Sequence, residues 1–396
     1  MGWLDDVLLQ TKEYESPQQF FKWAALSALS AVAKDKVWIE RAGAMPVYLN
    51  IYVLLFARSG LRKGEPINLA KRLVKRVGRT RVISGRSSVE AIIESLKEVQ
   101  TTEDKKNIIT DSCGFITASE FSSSIVHSEF ALNILTDLYD RKYNDGDFDI
   151  RLIRTGKQTL KNPTITMLGG INEAHFESFL ADKDITGGFL GRTFIIHGEN
   201  KNRINSLMFE MEQKIDDEKL SEHLRLINNL KGPLIINDAG KKTYDYWYNE
   251  FYKLNNEDRT GTHERVGDSA LKIAGLLSLA DGITMEVTKD NIIQGIEAAE
   301  GLTAAVRHAT YTIKEEESES TIKKKILKML VKKEDHKITR DKLLRELHGV
   351  VNAEDLTKML DTLEQAKLIK TYIYGETCIY EMEKEIVAKL KTAIGG

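Results

Sequence analysis

The sequence predicts an α/β chain: a mainly parallel β-sheet with helices on its faces, then a helical layer, then a small C-terminal unit of three helices and a hairpin. Three observations predict it. The segment Ile51–Ala57 is a continuous apolar run of strand length, the pattern of a strand buried on both faces. Strand-like and helix-like stretches alternate after it: a helix around Ser88–Val99, strands at 107–110 and 114–118, a helix near 128–139, and strands at 164–168 and 193–197. From about residue 205 strands largely cease, and 205–310 read as helices with one short strand at Pro233–Ile236.

At the N-terminus, Ser16-Pro17 opens a helix over 16–34, because serine caps and proline is tolerated in a first turn. Phe20, Phe21, Trp23, Leu26 and Leu29 form its apolar face. Near the other end, Lys314–Ser320 is charged and lacks large apolar groups, which is linker composition. Beyond it, Thr321–Val331 is amphipathic, Thr339 caps a helix at 340–348, and Asn352 caps another at 353–366. Leu368–Tyr374 and Thr377–Met382, separated by Gly375-Glu376, form a hairpin, and three helices followed by a hairpin make a winged helix. The expected divisions are an N-terminal helical segment (1–45), an α/β core (46–204), a helical lid (205–312), a linker (313–320) and the winged helix (321–396).

Composition excludes several classes. With 42% hydrophobic and 29% charged residues the chain reads as water-soluble and globular, and its 396 residues call for two or three domains. A net charge of -2 excludes binding by overall positive charge, though a local basic stripe still serves nucleic acid. Cys113 and Cys378 cannot build a disulfide framework or a zinc site, which points to a reducing, cytoplasmic setting. Met1–Asp6 lacks the features of a signal peptide, and no apolar run approaches the ~20 residues of a membrane span.

The strand ending at Phe56 runs into Ala57-Arg58-Ser59-Gly60-Leu61-Arg62-Lys63-Gly64-Glu65-Pro66, and a helix follows. Backbone N–H groups of such a loop and of the helix N-terminus converge on phosphate oxygens, so Ser59 to Glu65 are nucleotide-binding candidates. Against G-x-x-x-x-G-K-[ST], Lys63 keeps its register. Ala57 and Arg62 replace the two glycines, and Gly64 replaces the magnesium-holding hydroxyl. The competing reading is a basic surface turn after a core strand.

The strand Phe115–Ala118 ends in Ser119-Glu120, where Glu120 would polarise an attacking water. Ser119, through water, or Asp111 would hold magnesium; alternatively Glu120 only caps the next helix. Asn172, after the strand at 164–168, suits a water-orienting sensor. Arg192, after a glycine-rich stretch, is a candidate arginine finger acting in cis or on a neighbouring subunit.

Taken in order, these segments resemble a family of ATPase domains of uncharacterised function from phage, plasmid and mobile-element primase-helicases, related to AAA+ and RecA-like P-loop motors. The resemblance spans roughly residues 14–310. It rests on Ser16-Pro17, Ser59-Gly60-x-x-Lys63, Ser88-x-Glu90, Ala118-Ser119-Glu120-Phe121, Asn162-Pro163 with Gly169-Gly170, Gly188-Phe189-Leu190-Gly191-Arg192, and Arg265 with Leu271–Ala274. It implies ATP and Mg2+ as cofactors, nucleotide-dependent handling of DNA, and a homo-oligomeric ring, a hexamer by preference, with a separate primase as a partner. By the same likeness Arg265 is a second sensor contacting nucleotide from the lid.

For DNA itself, preferentially single-stranded, the helix after the loop offers Lys71, Arg72, Lys75 and Arg76, followed by Arg79 and Arg81. In the C-terminal unit Lys358, Lys370, Tyr372 and Tyr374 are candidates for backbone contact or base stacking, because Glu354 and Asp355 at the leading turn of the third helix repel phosphate. A solvated helix face and a protein-contacting winged helix are the competing readings.

Overall fold

A computed structural model of the chain describes residues 2–41, 46–85, 87–97, 100–101, 108–109, 111–121, 129–140, 147–152, 156–173, 186–204, 214–253, 261–333, 335–347, 353–374, 377–382 and 386–387. The chain divides into two compact units, Met1–His308 and Ala309–Gly396.

Unit 1 begins with α1 (Trp3–Gln10) and α2 (Gln18–Ala33), then β1 (Val37–Ile39), β2 (Val47–Tyr48) and β3 (Tyr52–Phe56). There follow α3 (Gly64–Val77), β4 (Arg81–Ser84), α4 (Val89–Lys97), a short pair β5 (Gln100–Thr101) and β6 (Ile108–Ile109), and β7 (Cys113–Ala118). Next come α5 (Glu129–Asp140), the hairpin β8 (Phe148–Leu152) and β9 (Gly156–Leu160), β10 (Thr164–Ile171), α6 (Thr186–Leu190) and β11 (Thr193–His197). The unit closes with α7 (Asp217–Asn229), β12 (Gly232–Ile236), α8 (Asp238–Lys253), α9 (Val266–Asp281), β13 (Glu286–Val287) and the start of α10 (Lys289–Lys332).

The principal sheet is parallel throughout, in the lateral order β11-β3-β10-β7-β4. Numbered by appearance along the chain, its strands stand in the order 5-1-4-3-2. The residues explain the centre: β7 and β10 are buried at every position, and β3 at all but Phe56, as strands covered on both faces must be. Register aligns Ile171 and His197 with Phe56, and Gly169 with Ala118, so the carboxyl ends of these strands share one edge.

The connections out of β3 and β10 run in opposite directions. After β3 the chain passes through α3 to β4 at one side; after β10 it passes through α6 to β11 at the other. Right-handed crossovers therefore place α3 on the face opposite the other connections. The crevice at the carboxyl ends of β3 and β10 is where such sheets take ligands.

A second sheet, in the order β13-β12-β1-β2, lies under α9. At Gly275 of α9 a Cβ would come within 2.7 Å of Leu49 and 3.2 Å of Ile39 and Leu234, so only glycine lets the helix approach this closely. One apolar core runs from Trp3 and Val7 through α2, α3 and α7 to Ile296 and Ala299. The segments expected as an N-terminal piece, a core and a lid thus share one interior, and the region after 205 contributes the strands β12 and β13.

Unit 2 contains β14 (Lys337–Thr339), α11 (Arg340–Glu346), α12 (Ala353–Gln365), β15 (Lys370–Tyr374) and β16 (Thr377–Glu381) after the last turns of α10. Its antiparallel sheet runs β14-β16-β15, and its own core gathers Ile326, Leu330, Ile338, Leu343, Leu356, Leu360 and Tyr380. Thr339 caps α11 as its sequence predicts, its hydroxyl accepting from the Lys342 N–H at 3.4 Å. The strand β14 was not foreseen, being three residues long and detectable only through its partner β16. Asn352 and the Gly375-Glu376 turn lie outside the described residues. Residues 313–320, read as a linker, fall inside α10: glutamate and lysine carry good helix propensity, so a lack of apolar groups does not break a helix. No described helix is long and apolar enough to cross a membrane.

Candidate functional site

The loop leaving β3 is shaped by two left-handed residues, Gly60 at φ 91° and Arg62 at φ 54°. Lys63 follows in the right-handed region, at φ -50° and ψ -28°, and leads into α3 without a side-chain cap. A left-handed residue followed by a right-handed one turns successive N–H groups into one concavity, and an uncapped helix start adds more donors. Loops with this alternation are of the kind that cradles anions, although here the Glu65 N–H already donates to the Arg62 carbonyl at 3.1 Å.

Lys63 is buried, and its ammonium donates to the carbonyls of Ala57 at 2.7 Å and Arg58 at 3.2 Å. Those bonds occupy two of its three protons and draw the lysine onto its own loop. Burial pushes its pKa down, and the carboxylates of Glu120 and Glu173 pull it back up. The three charges therefore share one neighbourhood at the carboxyl edge, to which β7, β10 and the loop after β3 each deliver one.

Arg62 is turned away from the cradle. Its Nε donates to Glu15 at 3.2 Å, and Lys201 lies 2.8 Å from the other oxygen of that carboxylate, whose side chain is only 4% exposed. Ser16 Oγ stands 2.9 Å from both the Arg62 carbonyl and Glu65 Oε2. Glu15 and Ser16 thus clamp the outside of the loop to the N-terminal segment. Glu15 was not singled out from sequence, and neither were Glu173 and His197. The only available signal was their position at a chain turn or just past a strand end, which becomes meaningful once the strand order is known.

Several predicted residues reach this edge. Asn172 directly follows Ile171, whose carbonyl accepts from the Ala57 N–H at 3.3 Å, so it abuts the loop. Ser119 and Glu120 are exposed at the end of β7. At Gly64 a Cβ would meet nothing within 4 Å.

Others do not reach it. Asp111 precedes β7 at the opposite edge, roughly 20 Å along a six-residue strand. Its carboxylate is held by Lys34 at 2.7 Å and by the Cys113 N–H at 3.1 Å, so it is not available to a metal at the loop. Arg192 also lies at the amino edge, just before β11, which excludes its action on this chain's own loop. Its guanidinium binds Asp140 through Nε at 2.7 Å and through Nη2, and Nη1 donates to the Gly188 carbonyl at 2.7 Å. Arg265 opens α9, which Lys272 ties to Asn50 ahead of β3, again at the amino edge. As a second sensor it is on the wrong side of the sheet; its Nη1 donates to Gly261 at 3.3 Å.

Of the basic stripe, Arg72, Lys75, Arg76 and Arg79 are exposed and Arg81 is buried, and two of the exposed arginines are paired with acidic residues of α7. Arg72 makes two bonds to Asp217 of α7, at 2.8 and 2.9 Å, and Arg76 pairs with Glu218 at 3.2 Å. Arg81 is 1% exposed and donates to the Asp111 and Cys113 carbonyls. These pairings were not legible in the sequence, because the acidic partners lie about 140 residues away on α7, as Arg72 and Asp217 do, with a separation of 145. Lys71 is half-buried and Lys75 exposed. In unit 2, Lys358 sits near Asp355 at 3.4 Å and Glu354 at 4.0 Å, which cancels much of its field. Lys370 and Tyr372 are exposed and share one face of β15 by alternation, as does the Tyr374 position.

No protein-family model matches the chain, and no curated protein matches it.

Proposed function

We propose that unit 1 binds ATP at the loop between β3 and α3 and works as a nucleotide-dependent DNA motor, a helicase or translocase of a phage or mobile-element replication system. One observation carries this reading: the 5-1-4-3-2 parallel sheet has its crevice beside an anion-shaped loop, and Lys63, Glu120 and Asn172 meet at that same edge. The strand order and the loop support a P-loop domain of AAA+/RecA-like kind. The order of helices and strands in unit 2 supports a winged helix that presents Lys370, Tyr372 and Tyr374 to DNA.

The residues fit a triphosphate better than they fit its metal. Lys63 keeps one N–H beyond its two carbonyl bonds, and the loop and the first turn of α3 supply backbone donors. For Mg2+, Gly64 offers no hydroxyl and Asp111 is remote, so the ion would rest on the phosphates, water and the Ser119 hydroxyl. Within the site, Glu120 would accept the proton of an attacking water and Asn172 would orient that water. Arg192, at the far edge, can serve only a neighbouring copy, which fits a homo-oligomeric ring, and it must first leave Asp140.

A second reading has its own support. Lys63 is engaged by its own loop and the hydroxyl at 64 is missing, which favours a loader or scaffold that binds nucleotide without hydrolysing it.

The deciding measurement is ATP turnover, with and without single-stranded DNA, in the wild type and in the Lys63→Ala and Glu120→Gln variants. The motor reading expects Lys63→Ala to lose ATP binding, and Glu120→Gln to bind ATP while turning over about 100-fold more slowly or less. Absence of turnover with Lys63-dependent binding selects the second reading, and ATP binding unaffected by Lys63→Ala removes both. A further expected result concerns Gly64→Ser: open space around the new Cβ leaves the melting temperature unharmed, and the restored hydroxyl raises magnesium-dependent ATP affinity. Equal affinity in both proteins counts against the loop as the metal-proximal element.

A further inference from the structure

On the face of unit 1 formed by α8 and the first turns of α10, Tyr246, Trp247 and Phe251 line a cleft with Glu250, Lys253 and Glu300. Its volume is about 430 Å³, within the range of small-ligand sites. Tyr246 is 74% exposed, an unusual position for a large aromatic that covers no core. The Trp247 indole N–H donates to Glu300 Oε1 at 2.7 Å, and its ring lies against Phe251 at 5.3 Å. Phe251 in turn stacks on His263 at 4.7 Å, so the aromatic wall is set before any ligand arrives.

We infer that this cleft is a binding site for an arginine side chain presented by a protein partner. Three features select that chemistry. Aromatic faces attract cations through their ring quadrupoles. The two carboxylates outnumber the one lining cation, Lys253, which is already paired with Glu250 at 2.6 Å. Among the described residues Glu300 Oε2 keeps its acceptor capacity, beside an indole held edge-on to the same carboxylate. A planar guanidinium can stack on the indole and donate to Glu300 together, which a compact ammonium cannot do. The same carboxylates oppose a nucleic-acid occupant, because a base stacked on Trp247 would bring its phosphate toward Glu250 and Glu300.

The test follows the indole N–H signals of the full chain by NMR, with the Trp247 signal assigned through a Trp247→Phe variant among the four tryptophans. Three probes are compared: an acetyl-Gly-Arg-Gly amide, its citrulline counterpart, and a short oligo-dT. The arginine peptide, at about 10 mM, is expected to shift the Trp247 signal, and the uncharged citrulline peptide is not. Glu300→Gln, which keeps the side-chain shape and the indole bond, is expected to weaken arginine binding about five-fold. The inference is overturned if arginine leaves the Trp247 signal in place, if citrulline matches it, if Glu300→Gln binds as tightly as wild type, or if oligo-dT alone moves the signal.

Discussion

Between about pH 7 and 9 the unfolding free energy of wild-type unit 1 is expected to rise by about 2–3 kcal/mol relative to a Lys272→Met variant. Lys272 sits in α9, is 2% exposed, and donates to the Asn50 carbonyl at 2.8 Å and its Oδ1 at 2.9 Å, with the Tyr139 ring 4.0 Å away. Burial pushes its pKa down to about 7; Asp268 and Asp140 oppose that fall, and Arg192 adds to it. In the unfolded chain the same amine titrates near 10.5.

Above the folded value and below the unfolded one, the unfolded state holds the extra proton, so stability increases with pH across that window. Below it both states are charged, and the folded chain bears the full cost of a buried ammonium. Methionine fills similar space and carries no proton, so the difference between the two proteins isolates this one group from other titrations. All four tryptophans lie in unit 1, so urea unfolding followed by their fluorescence reports the relevant transition. Parallel pH profiles for the two proteins would mean that the Lys272 amine stays charged in the folded chain across this window, as a solvated lysine does.

Gly170→Ala is expected to cost unit 1 about 1–3 kcal/mol and to impair any reaction that depends on Glu120. A Cβ at this position in β10 would stand 2.5 Å from the backbone oxygen of Ser119 and 3.5 Å from Ile67 of α3. A carbonyl cannot rotate aside as a side chain can, so β10 or the end of β7 must move. Either movement shifts Glu120 relative to Lys63. Gly64→Ala, with open space around it, serves as the control for the loss of a glycine alone. A change under about 0.5 kcal/mol in Gly170→Ala would show that the end of β7 is loosely held.

How much of this was legible beforehand follows from the range of each interaction. The apolar run Ile51–Ala57 announced β3, the aromatic face of Phe20, Phe21 and Trp23 announced α2, and Thr339 announced the start of α11. These are short-range facts, decided by neighbours within a few residues. Lys63 and Glu120 could be picked as partners because each follows a strand end, and in a parallel sheet strand ends gather on one edge.

What the chain's residues determined by themselves, then, was the element types, the alternation that makes the sheet parallel, and the loop that follows its first strand. Tertiary structure alone decided which edge a residue occupies: Asp111, Arg192 and Arg265 carry plausible chemistry, yet all stand at the amino edge, away from Lys63. It alone decided that Arg72 and Arg76 are neutralised by α7, since only folding brings Asp217 and Glu218 to them. Strand order and charge pairing depend on contacts far apart in the chain, and local periodicity holds no record of those.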